Sequence, residues 1–152
     1  MTRIEARNDA RPSGLVKRSR NNKALFLPMK RAAADELVLP VRISFERIRQ
    51  GKADRDATVC MAEILLLTGF LTESGFGRLD SIFLSDVEKR LLTELNRDSS
   101  GEWQLAARLV DDLGIVVNEY DRLVREARLQ AIVEANESFS RLKPTQRTTL
   151  GT

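Results

Sequence analysis

Apolar positions recur at three- and four-residue intervals in successive stretches between about residue 37 and residue 142, separated by short glycine-bearing or polar breaks. That rhythm belongs to helices that bury one side. The first stretch carries Leu37, Val41, Ser44 or Phe45, and Ile48, with Gly51 as a stop. Proline is at home only in a first helical turn, so Pro40 sets the secure start at about Leu39. The second helix, residues 54–74, is apolar almost all round (Ala57, Val59, Cys60, Met61, Ile64, Leu65, Leu66, Leu67, Phe70, Leu71), with Asp54 or Asp56 at its positive end. Such a helix is expected at the centre, surrounded by the others or by a second subunit.

Gly75 and Gly77 then mark a turn rather than a phosphate loop, since no strand precedes them. A third, amphipathic helix over residues 79–96 sets Ile82, Phe83, Val87, Leu91, Leu92 and Leu95 against Asp86, Glu88, Lys89, Arg90 and Glu94. After a polar loop at residues 98–101, helical time resumes at Trp103 and runs through Leu105, Leu109, Leu113, Val117, Tyr120 and Val124. A fifth helix over residues 127–142 continues it through Leu129, Ile132, Val133 and Phe139. A break near Glu126 is expected, because a single rod would leave its far end unpacked in a body this small. The result is an all-α fold: a single-domain bundle of four to five helices over residues 25–142, with a flexible tail at 143–152.

Composition sharpens this picture. With 152 residues, 42% apolar but 5% aromatic, the chain suits one domain whose core is aliphatic. It has no histidine and a single cysteine, which removes the usual general base, the commonest zinc ligand and any intrachain disulfide. No secretory leader opens it and residues 57–71 fall short of a membrane span, so a bacterial or otherwise reducing cytoplasm is the expected compartment, with no membrane partner and no cofactor.

The net charge of +3 conceals a strong segregation. Residues 1–31 hold nine basic side chains against Glu5 and Asp9, a balance of +7, and the remainder carries −4. Residues 1–24 therefore read as a disordered basic arm drawn to polyanions, with Lys17, Arg18, Arg20 and Lys23 as the densest nucleic-acid-binding set. A solubilising tail, or a site for an acidic protein, is the competing reading of that arm. Leu25, Phe26, Leu27 and Met29 interrupt it as an extended strap expected to dock on the body, with Pro28 keeping it non-helical. Arg42, Arg47, Arg49 and Lys52 form either a solvated outer face of the first helix or a binding surface.

Other groups have two readings each. Val110, Leu113, Gly114, Ile115, Tyr120 and Leu123 fit the apolar skeleton of a helix-turn-helix, which would present Asn118, Glu119, Asp121, Arg122 and Arg125 to base edges. Alternatively the segment is one helix in which Gly114 permits close packing. Cys60, mid-helix among apolar neighbours, reads as an inert small hydrophobe. Glu63 on the same helix requires a cation, expected from an Arg of a neighbouring helix. Asp111 and Asp112, being adjacent, cannot face one substrate together. Trp103 reads as a core anchor.

Residues 23–29 (KALFLPM), the Arg49-Gln50-Gly51 helix end, the turn at residues 75–77, the Gly101-Glu102-Trp103 segment and the spacing from Asp121 to Glu134-Ala135 together resemble small proteobacterial proteins labelled Fis-family transcriptional regulators. The resemblance covers about residues 23–142 and implies DNA-linked regulation by a helical dimer. The expectation is thus a non-enzymatic, DNA-associated regulatory or accessory protein. Its arm would contact the phosphates of double-stranded DNA, and its helical body would form a homodimer or bind another helical protein. The alternative is an adaptor module whose basic arm binds an acidic partner.

Overall fold

A computed structural model describes residues 23–97 and 103–150, with side chains as far as residue 142. In order these residues form α1 (Arg31–Arg49), α2 (Arg55–Glu73), α3 (Ser81–Leu95), α4 (Ala107–Glu126) and α5 (Leu129–Leu150). The fold is all-α, as expected, and α2 packs against each of the other four helices. Nothing between Ala57 and Thr72 on it is fully exposed. Asp54 caps its start by accepting from the Ala57 amide at 2.8 Å, which satisfies an otherwise orphaned donor. The third helix is capped likewise by Asp80, which accepts from the Ile82 amide at 3.0 Å.

The first helix departs from expectation. It starts at Arg31 instead of Leu39 and runs through Pro40. The hydrogen bond that proline cannot make would have ended on the Glu36 carbonyl, and both residues lie on the exposed side, where water can satisfy that oxygen. Its buried stripe is Ala34, Val38, Val41 and Ile48, with Phe45 half-buried. Leu37, placed inward by the sequence, is 41% exposed. Gly51 does end the helix, in the left-handed conformation (φ 78°) that favours glycine.

The helices α1 and α4 are antiparallel, since Asp35 meets Arg125, Arg42 meets Asn118 and Phe45 meets Gly114. A Cβ added at Gly114 would lie 3.1 Å from the Phe45 ring, so glycine lets the two helices close on one another. The fourth helix begins at Ala107, later than expected. Residues 103–106 are not helical, and the Trp103 amide donates to the Ala53 carbonyl at 2.8 Å. Trp103 packs against the main core, as an anchor should.

The break at Glu126 is as expected, with extended Ala127 and the start of α5 following it. The fifth helix is seated by a second apolar cluster of Leu71, Leu123, Ala127, Ala131, Ile132 and Ala135. Its backbone continues to Leu150, past the expected end at Leu142. In α3 the buried stripe is Leu84, Val87 and Leu91, and Ile82, expected inward, is 76% exposed because it lies about 200° round the helix from Leu84.

Candidate interaction surface

The cations that the sequence offered on the helical body are mostly engaged. Arg42 donates to Asn118 Oδ1 at 2.8 Å and to Asp121 Oδ2 at 2.7 Å. Arg125 binds Asp121 at 2.6 Å and Asp35 at 2.8 Å. Arg47 pairs with Asp54, and Arg49 with Glu46. The outer face of α1 is therefore largely neutralised, and of its four basic residues Lys52 alone has no ion pair among the described residues.

The would-be base readers are bound into the same lattice. Glu119, only 7% exposed, accepts from the Arg78 amide at 2.6 Å and the Leu79 amide at 3.3 Å, and from Arg122 Nε at 2.7 Å. Arg122 also reaches Glu126 at 2.8 Å and the Phe76 carbonyl at 3.1 Å. These contacts fasten the turn between α2 and α3 onto α4. Burial alone would raise the Glu119 carboxyl, but Arg122 and the two amides outweigh it and hold it below its ordinary value of 4.5. Asp121 likewise lies below its ordinary value, Arg42 and Arg125 overcoming the effect of burial. Moreover, α4 is continuous through Gly114, so residues 110–123 are one helix and not a helix-turn-helix.

The Cys60 thiol is half-buried and its pKa is pushed up by burial, against a hydrogen bond with Ser44, so it stays protonated at neutral pH. Glu63 is half-buried rather than enclosed. Asp112 is held by Arg90 from α3 while Asp111 is exposed, so the adjacent pair diverges as expected. Among the described residues no group of three or more His, Cys, Asp or Glu could hold a metal ion. Among them, too, no helix is long and apolar enough to cross a membrane.

What remains is apolar. The strap joins the body through the Leu129 amide, which donates to the Leu27 carbonyl at 2.8 Å, and through a bridge between Pro28 and Arg128. Residues 23–25, expected as part of an extended arm and strap, form a helical turn closed by the Phe26 and Leu27 amides. Leu25 and Met29 are half-buried, but Phe26 and Leu27 are 60% and 61% exposed. The expected docking of all four side chains is therefore only half made: the turn that ends the helical residues leaves Phe26 and Leu27 outward before the chain pairs with Arg128 and Leu129.

Between the strap, the first half of α1 and α5 lies a groove of about 620 Å³, walled chiefly by Leu27, Met29, Ala33, Leu37, Ile132 and Val133. Leu39 and Ile43 are also exposed but lie on the far side of α1, about 200° and 240° round the helix from Leu37. The sequence reading placed Leu37 and Val133 in the core and so missed this surface. The period of α1 carried no signal for it: Leu37 falls only about 20° round the helix from Ile48, at the edge of the buried stripe, so spacing alone turns it inward.

Of the nucleic-acid candidates, Lys23 is exposed in the helical turn next to Ala24, which lines the groove. Lys17, Arg18 and Arg20 lie outside the described residues. No family model, curated protein or solved structure matches the chain.

Proposed function

We propose that the protein is a non-enzymatic docking module, whose helical body associates with another helical surface through the groove between the strap, α1 and α5. The observation that carries this reading is the gathering of exposed Leu27, Leu37 and Val133 around one apolar groove, while Arg42 of the first helix and Arg125 of the fourth are tied to carboxylates. An apolar groove edged by polar side chains is the kind of surface that a partner can cover. A Leu37→Asp, Val133→Asp double variant tests it. These positions are exposed, so the melting temperature should hold within about 2–4 °C, equivalent to roughly 1 kcal/mol. In gently lysed cells at native abundance, the wild-type chain should migrate in a complex and the variant at the 17.2 kDa of the free chain. A wild type that migrates as the free chain contradicts the proposal.

A second reading, supported by the +7 charge of residues 1–31, gives the arm the role of holding this module on a polyanion, double-stranded DNA first among them. Lys17, Arg18, Arg20 and Lys23 are the residues proposed to contact phosphate, in keeping with a DNA-associated regulatory or accessory role. The neutralised face of α1 and the unbroken fourth helix leave this attraction to the arm.

A further inference from the structure

One end of the body continues the charge of the arm. Lys23, Lys30, Arg31 and Arg128 are exposed there, and none makes an ion pair among the described residues. The bridge between Pro28 and Arg128 lays the strap beside the start of α5. Opposed residues of an antiparallel pair point to one face, and a residue two further along extended chain returns to it. Lys30, whose backbone is extended (φ −62°, ψ 148°), is two residues past Pro28 and so shares a face with Arg128. Exposure agrees: Pro28, Lys30 and Arg128 are exposed, whereas Met29 is half-buried and packs on the core. Arg31 follows at once as the first residue of α1.

The backbone adds to the same field. Both α1 and α5 begin at this end, neither has an acidic residue in its first turn, and α1 has no side-chain cap. Two positive helix ends therefore lie beside these cations. Of the nearby carboxylates, Asp35 is held by Arg125 and Glu126 by Arg122. Glu36 stands about 7.5 Å along the axis from Arg31, on the rim of the groove.

We infer that this end of the bundle is a phosphate seat, in which Lys30, Arg31 and Arg128, with Lys23 at the base of the arm, hold one backbone phosphate of a DNA duplex. The arm follows the neighbouring phosphates. This rests on the DNA reading of the arm and deepens it, because a seat at the root of the arm fixes how the body lies against the duplex.

The test is the binding of a labelled random duplex by the full-length chain over a series of salt concentrations. Lys30→Ala with Arg128→Ala should weaken binding several-fold and flatten the salt slope by about one, as the loss of one phosphate contact requires. Lys52→Ala with Arg108→Ala removes the same charge from exposed positions at the opposite end of the bundle, where Gln50 and Gly51 lie near Ala107. That pair should leave both affinity and slope unchanged. All four side chains are exposed, so an unaltered melting temperature verifies that each variant is folded. Equal losses from the two pairs would overturn the seat. So would no loss from Lys30→Ala with Arg128→Ala while binding still depends on residues 1–22, an outcome that leaves the arm reading standing. A wild type that binds no duplex at low salt overturns both.

Discussion

Tyr120 is the only tyrosine of the chain, and its hydroxyl is buried inside the bundle, which pushes its pKa up to about 12, with Cys60 adding a smaller electrostatic effect in the same direction. Ultraviolet titration of the native protein should therefore place phenol ionisation near 12, not at its ordinary 10. A phenol raised in the folded state contributes stability that is fully present below pH 10 and lost as pH rises toward 12. Tyr120→Phe should flatten that alkaline limb, and a midpoint near 10 in the folded protein would contradict the burial. Glu119 has the opposite sign. Its lowered carboxyl contributes stability that is present above its ordinary 4.5 and lost as pH falls through the lower folded value. Glu119→Gln should flatten the acid limb of a Trp103 fluorescence unfolding profile. It should also cost about 2–3 kcal/mol at pH 7, since Arg122 and two backbone amides lose a charged acceptor.

The elements differ in how far the sequence exposes them. The second helix was plain, because an almost wholly apolar run closed by Asp54 and Ser74 leaves one physical solution, a central helix. The break at Glu126 was legible from the length that a small body can cover. The start of α1 was not, because proline is read as a terminator, and only the tertiary placement of Pro40 and Glu36 on the exposed side shows why the helix survives. Gly114 had two consistent readings from spacing alone, and the 3.1 Å approach of Phe45 decides for packing. Gly114→Leu should consequently force α1 from α4 and cost about 1–3 kcal/mol by overpacking. Gly114→Ala in a Phe45→Leu background should gain up to about 1 kcal/mol from helix propensity. Equal effects of Gly114→Ala with and without Phe45, seen in a thermal double-mutant cycle, would contradict the contact.

At the scale of the whole molecule, charge and apolar surface are separated. Arg42, Arg125 and Arg90 make carboxylate pairs that clamp α1 and α3 onto α4, and the body leaves an apolar groove open beside the strap. The net positive charge is concentrated in the first 31 residues. The candidate surface was only partly legible in the sequence: the strap was visible as an apolar interruption, but which of its residues face outward depends on the pairing of Leu27 with Leu129. For the arm, full-length protein should bind a random labelled duplex with a salt slope of roughly −3 to −4, as expected for four neutralised phosphates. Deleting residues 1–22 should remove most of that slope without lowering the melting temperature. Equal binding with and without those residues would sink the arm reading.

The docking surface is tested most directly by site-specific photocross-linking in living cells, with the reactive side chain placed in turn at Leu37, Val133, Ile82 and Ile115, all exposed, and each adduct identified by mass spectrometry. The account predicts one defined adduct shared by positions 37 and 133, and nothing comparable from positions 82 and 115. The same diffuse pattern from all four positions, or a defined adduct from 82 or 115 alone, would contradict it.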